Sequence, residues 1–157
     1  MIHGQKGWNP YNMKILVDTN IIIDALTGRE PFKEDAEKIF MLAANKSADM
    51  YITASSATDI YYLVRKYLHS TEQSKIIMGK LYTLFYILDV TGADCIDAVS
   101  SPIKDYEDAV VSCCACRNHM DYIVTRNIRD YEKSKVQSIL PGDFIKIIAE
   151  DKVFLTS

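Results

Sequence analysis

Apolar residues fall into short runs that switch between two periods along this chain. The run at residues 14–17 is apolar without a break after its lysine and stops at Asp18. Continuous apolarity of this length predicts a central parallel strand covered on both faces. Residues 50–53, 87–90 and 122–125 read the same way, with Ile139-Leu140 as a short fifth strand. Between these runs the spacing becomes helical. Residues 21–26 predict a short helix closed by Thr27-Gly28, and about 33–46 a longer one, with Ala36, Ile39, Phe40 and Ala43 on one face. Ser55 or Ser56 is placed to cap a helix that carries Ile60, Leu63, Val64 and Tyr67. Thr71 with Ser74 opens another, along which Ile77, Leu81, Leu84 and Phe85 repeat. Residues 95–100 predict a helical turn, 102–105 lead into a helix reaching about Asn118, and the Pro141-Gly142-Asp143-Phe144 segment starts a last helix.

Strands separated by helices need crossovers, which makes the fold class α/β. The expectation is a three-layer α/β/α sandwich around a central, mainly parallel sheet of four to five strands. At 157 residues the chain holds a single core. Its domain is expected over 13–150. Residues 1–12, with Gly4, Gly7 and Pro10 and no periodicity, read as an N-terminal extension, and 151–157 as a C-terminal tail. Parallel sheets place ligands beyond the carboxyl ends of their strands. Asp18 stands there after the first strand, and residues 127–130 after the fourth.

Candidate chemistry follows from four short segments that set acidic or amide side chains beside apolar runs. They are residues 17–20, 56–59, 105–109 and 125–131. Brought together they form a pocket of carboxylates, whose charges repel and raise one another's pKa values. A hard divalent cation such as Mg²⁺ or Mn²⁺ relieves that repulsion, because it prefers oxygen ligands. Asp18 either caps the following helix or serves the pocket, with Thr19 and Asn20 able to hold its carboxylate or a water. Asp59 lies early in its helix, where a negative charge also suits the helix dipole. Asp105 and Asp108, three apart, share a helix face, while Glu107 is expected to face solvent and Asp24 to be a helix-surface charge. In the last segment Asn127 offers a neutral oxygen, and Asp130 can cap, ligate or pair with an arginine. Arg126 and Arg129 suit phosphate oxygens through their forked geometry, or else neutralise the nearby carboxylates.

Composition narrows the function classes. Apolar residues make up 48% and charged residues 25%, as in an ordinary globular protein. No run approaches the ~18 apolar residues of a membrane span, and residues 1–7 lack a signal-peptide core, so a cytoplasmic protein with no membrane partner is expected. Cys113, Cys114 and Cys116 cluster in a helical stretch apart from Cys95; with His119 they miss zinc spacing and read as reduced, packed thiols. A net charge of −3 argues against broad nucleic-acid coating but allows a local basic rim, for which Arg65, Lys66, Arg117, Arg126, Arg129, Lys133 and Lys135 are the candidates.

Taken in order, the 15–20, 105–109 and 124–131 segments resemble the three acidic motifs of the PIN domain family, in particular the small VapC-type ribonuclease toxins of prokaryotes. The likeness runs from about residue 14 to 148. It implies a PIN-like sandwich and Mg²⁺- or Mn²⁺-dependent hydrolysis of RNA. It also implies a homodimer and an antitoxin protein that plugs the site. By that resemblance Asp18, Asp108, Asp59 and Asp130 are the metal residues. Asn127 and Asp105 complete or orient their shell, and Thr19, Asn20, Thr125, Arg126 and Arg129 meet the substrate. Two positions depart from the pattern: Asp59 stands where Glu is common, and Asn127 where many members carry Asp. His3, His69 and His119 lie outside the motifs, which disfavours a histidine-based nuclease. Two other readings remain: an inactive PIN-like RNA-binding protein, and a phosphatase with Asp18 as nucleophile. The phosphatase normally needs a second Asp two residues on, where this chain has Asn20.

Overall fold

The computed structural model describes residues 12–156, and the expected extension over 1–12 therefore lies almost wholly outside the described residues. Among these residues five strands form one sheet: β1 (Lys14–Val17), β2 (Asp49–Thr53), β3 (Tyr86–Leu88), β4 (Tyr122–Val124) and β5 (Ser138–Ile139). Their order is β3-β2-β1-β4-β5, and every pairing is parallel. β1 is central, with Leu16 opposite Tyr51 on one side and Ile123 on the other. Its apolar run is buried on both faces, as continuous apolarity required.

Seven helices among the described residues cover the sheet: α1 (Thr19–Thr27), α2 (Lys33–Ala44), α3 (Ala54–Leu68), α4 (Thr71–Leu84), α5 (Gly92–Val99), α6 (Tyr106–Arg117) and α7 (Pro141–Thr156). A 3₁₀ turn, Ile128–Tyr131, follows β4. Period-2 alternation sorts the strand side chains between two cores. Ile15, Val17, Met50, Ile52 and Val124 face the layer of α1, α2, α3, α4 and α7, where Ile21, Ile39, Ile60, Leu81 and Phe144 close over them. Leu16, Leu88 and Ile123 face the opposite way, against Val111, Cys114, Ala115 and Tyr131. This is the expected α/β/α sandwich.

Several element ends differ from the periodicity reading, each for a local reason. Thr53, not Ser55 or Ser56, caps α3 by accepting from the Ser56 amide at 3.1 Å. Ser70 caps α4 the same way through Gln73. α5 starts at Gly92 rather than 95, because Thr91 and Asp94 satisfy each other's backbone amides in a capping box. β3 ends at Leu88. Gly28 closes α1 in the left-handed region (φ 66°), where a side chain would be strained. α7 continues to Thr156, past the expected boundary at 150.

Candidate functional site

The strand order turns at β1, since the chain builds outward to β2 and β3 and then crosses to β4 and β5. The carboxyl end of β1 beside β4 is therefore the switch point, where parallel sheets leave a crevice. Asp18 stands there. It occupies the N-cap position of α1 but makes no side-chain capping bond. Its backbone amide instead donates to the Val124 carbonyl at 3.0 Å, extending the ladder one residue past β1. Its carboxylate accepts from the Thr125 hydroxyl at 2.8 Å, and that same hydroxyl accepts from the Asn127 amide at 3.0 Å. Thr125 is fully buried, so its hydroxyl proton serves to aim Asp18. Burial raises the Asp18 pKa; the bonds from Thr125 and the Thr19 amide and the charge of Arg126 oppose this in part, and Asp130 adds to it.

Asp108 comes from the first turn of α6. Asp105 is the cap of that helix and accepts from the Asp108 amide at 3.0 Å, so the two do not share a helix face; one holds the backbone of the other. Tyr131, at 2% exposure, donates its hydroxyl to the Asp108 carboxylate at 3.1 Å. Burial first, then the charges of Asp105, Asp18 and Asp130, push Asp108 up to about 6 against the opposing Tyr131 bond. The Tyr131 phenol is itself raised, by burial and by the charges of Asp18 and Asp108. Asp18 and Asp108 thus act on each other and on one shared tyrosine.

A cleft of about 440 Å³ joins these groups. Asp18, Thr19, Asn20, Asp59, Glu107, Asp108 and Tyr131 line it, with Ser56, Tyr62, Leu63 and Val111. No lysine or arginine is among them. Glu107, expected to face solvent, lines this cleft instead. It shares a hydrogen bond with Asp59 across the gap between α3 and α6. That bond first, then burial and the charges of Asp59, Asp105 and Asp108, raise Glu107 to about 7. Asp105, Asn127, Arg129 and Asp130 are not lining residues. Asp105 and Asp130 act on the cleft through their charge, Asn127 through Thr125, and Arg129 and Asp130 are exposed beyond it.

Of the two readings open for Arg126, phosphate contact or neutralising a carboxylate, the structure shows the second. Its guanidinium forks onto Asp24, Nε at 2.6 Å and Nη2 at 3.3 Å, and stacks 3.9 Å over the Phe32 ring. Asp24 is 1% exposed, hence an interior partner rather than a helix-surface charge. The arginine fork that suits a phosphate is filled by the protein's own carboxylate.

Glu107 and the positioning role of Tyr131 were the features that sequence reading missed. Once Asp105 is recognised as the cap, residues 107 and 108 both fall in the first turn, and both line the cleft.

The donor set fits a hard divalent ion: the lining carboxylates and hydroxyls are all oxygen donors, and no lysine or arginine lines the cleft. Among the described residues no three Asp, Glu, His or Cys side chains stand ready as a complete cage.

Comparison with known proteins settles the family. The PIN domain profile matches residues 14–129. The chain belongs to the PIN domain family. Among solved structures the fold is similar to that of FitAB bound to an IR36 DNA fragment, at 19% identity and a TM-score of 0.63 over 81% of this chain and 94% of that one. It is similar to VapBC-1 from nontypeable Haemophilus influenzae at 17% identity and a TM-score of 0.59, over 83% of this chain and 99% of that one. It is also similar to the sarcin-ricin loop cleaving toxin VapC20 of Mycobacterium tuberculosis, at 14% identity and a TM-score of 0.55, covering 69% and 86%. No curated protein matches. Among the described residues, no helix of this PIN protein is long and apolar enough to cross a membrane.

Proposed function

We propose that this PIN protein is a Mg²⁺- or Mn²⁺-dependent endoribonuclease, the toxin of a toxin–antitoxin pair. The observation that carries the reading is the convergence of Asp18 and Asp108 on one cleft at the switch point, each held by a buried hydroxyl and neither offset by a side-chain cation in the cleft. Asp18 and Asp108 would hold the ion, with Asp59 and Glu107 across the cleft. When bound, the ion supplies a water of lowered pKa and neutralises charge on the scissile phosphate.

The chain's own groups do the positioning. Thr125 fixes the Asp18 carboxylate, and Tyr131 fixes that of Asp108. Such outer partners set the orientation of the groups that touch a metal. The hydrogen bond to Asp59, then burial and the neighbouring carboxylates, raise the Glu107 carboxyl to about 7 while the cleft is metal-free. This pairing offsets the shorter reach of Asp59, because Glu107 comes from α6 to meet it. In-line attack by water gives 5′-phosphate and 3′-hydroxyl ends. Asn20 in place of a second aspartate weighs against the phosphatase reading.

An antitoxin and a second copy of the chain are the proposed partners. Exposed Tyr62, Leu63 and Tyr67 on α3 and Ile96 and Val99 on α5 support an apolar contact. The test is a calorimetric Mn²⁺ titration together with end-analysis of RNA fragments. Binding in the micromolar to millimolar range with 5′-phosphate products supports the nuclease; products ending in a 2′,3′-cyclic phosphate contradict it.

A further inference from the structure

The acidic cleft has an apolar side that its carboxylates do not explain. On α3, Ser56, Asp59, Tyr62 and Leu63 line it, at the three-and-four spacing of one helix face. Asp59 gives the carboxylate of that face. One turn on, Tyr62 and Leu63 give apolar surface, to which Val111 of α6 adds.

Tyr62 is 65% exposed, although an aromatic side chain of this size gains most by being covered. Its neighbour Tyr61 is partly buried and packs on the core beneath α3. The two rings meet in a T-shaped contact, 5.4 Å between centroids at an interplanar angle of 70°. That contact limits the directions open to the Tyr62 ring and leaves most of its surface free. Tyr67 on α3 and Ile96 and Val99 on α5 are exposed as well, but none of them lines the cleft.

The rest of the lining decides what can lie against the ring. No lysine or arginine is there to draw a phosphate in, and Arg126 is committed to Asp24. A strand entering beside carboxylates therefore needs an uncharged contact, and its bases supply one. Every base has a flat face that stacks on an aromatic side chain. In a duplex those faces are covered by neighbouring pairs, whereas a base in a single strand or loop can be splayed out onto a ring.

We propose that Tyr62 is the stacking platform for an unpaired base of the RNA strand that enters this cleft. The proposal rests on the ribonuclease reading and deepens it: the substrate class is unpaired RNA, held in the cleft through a base face rather than through lysine or arginine on its phosphates. Stacking accepts any base, so Tyr62 adds affinity and direction with little sequence preference.

The test uses a single-stranded RNA decamer whose cleavage position has been mapped from its fragment ends, with Mn²⁺ present. It is cut by the parent, by Tyr62→Leu, which keeps apolar bulk without a flat face, and by Tyr62→Phe. The site is exposed and leucine suits a helix, so Tyr62→Leu should melt as the parent does. The expected result is a KM about tenfold higher in Tyr62→Leu at nearly unchanged kcat, restored by Tyr62→Phe. A set of decamers, each lacking one base, gives a readout that a merely structural role would not move. Loss of one particular base should raise the parent's KM about tenfold and leave that of Tyr62→Leu unchanged. A KM in Tyr62→Leu equal to the parent's, or base losses that all add in full to the substitution, overturns the stacking role while leaving the nuclease intact. A parent-like KM with an altered oligomeric state assigns the ring to a protein contact and overturns it too. A parent that cuts no decamer overturns the ribonuclease reading and this one with it.

Discussion

The residues that decide this site are two hydroxyls. Thr125 and Tyr131 are buried, touch one carboxylate each, and come from the same segment after β4. Removing a partner of this kind costs about 10–100-fold in metal affinity or activity. Thr125→Val and Tyr131→Phe are each expected to lose that much Mn²⁺ affinity by calorimetry, with far-ultraviolet circular dichroism unchanged. Parent-like affinity in both would contradict the positioning role. The pKa shifts carry a second prediction. Asp108 sits at about 6 and Glu107 at about 7, both above their ordinary values. Carboxyls raised in the folded state favour the metal-free fold at low pH, and that contribution is lost as pH rises through 6 to 7. Binding a cation needs the charged forms. Mn²⁺ should therefore raise Tm more at pH 8 than at pH 5, and a shift independent of pH would show that these groups do not take part.

At the scale of elements, sequence made the strands legible and left the pairings hidden. The runs ending at Val17, Thr53 and Val124 are apolar because both faces of a central sheet are covered, so period and composition were enough to find them. Asp18 was legible for the same reason, as the first polar residue past the edge. Glu107 was not. Periodicity reports the buried stripe of α6, whereas the direction of Glu107 depends on where Asp105 caps the helix. The Asp24–Arg126 pair was hidden too, because 102 residues separate its partners and nothing local marks Asp24 as interior. This pair ties α1, which follows Asp18, to the loop that carries Thr125. Asp24→Ala leaves Arg126 without its carboxylate and should cost about 3–5 kcal/mol in urea unfolding. Thr53→Ala, which removes the α3 cap together with that hydroxyl's bonds to Ser55 and Ser56, should cost about 1–2 kcal/mol. If the two variants lost equal stability, the interior pair would not be the stronger tie.

For the whole molecule, the sheet order explains why distant carboxylates meet. β1 is central and β4 adjoins it, so residues 18 and 125 become neighbours although 107 positions apart in the chain. α3 and α6 bring Asp59 and Glu107 to the same opening from opposite layers. A net charge of −3 then has a local meaning: negative charge is gathered where a cation would enter. The proposed nuclease would cut in the cleft that Asp18 and Asp108 line. Its most direct test is cleavage of a single-stranded RNA by the parent and by Asp108→Asn, each with Mn²⁺ and with EDTA. The parent is expected to cut with Mn²⁺ and not with EDTA, and the variant to lose about a hundredfold or more of that rate. Equal cutting by the variant, or cutting that survives EDTA, would overturn the metal-dependent nuclease.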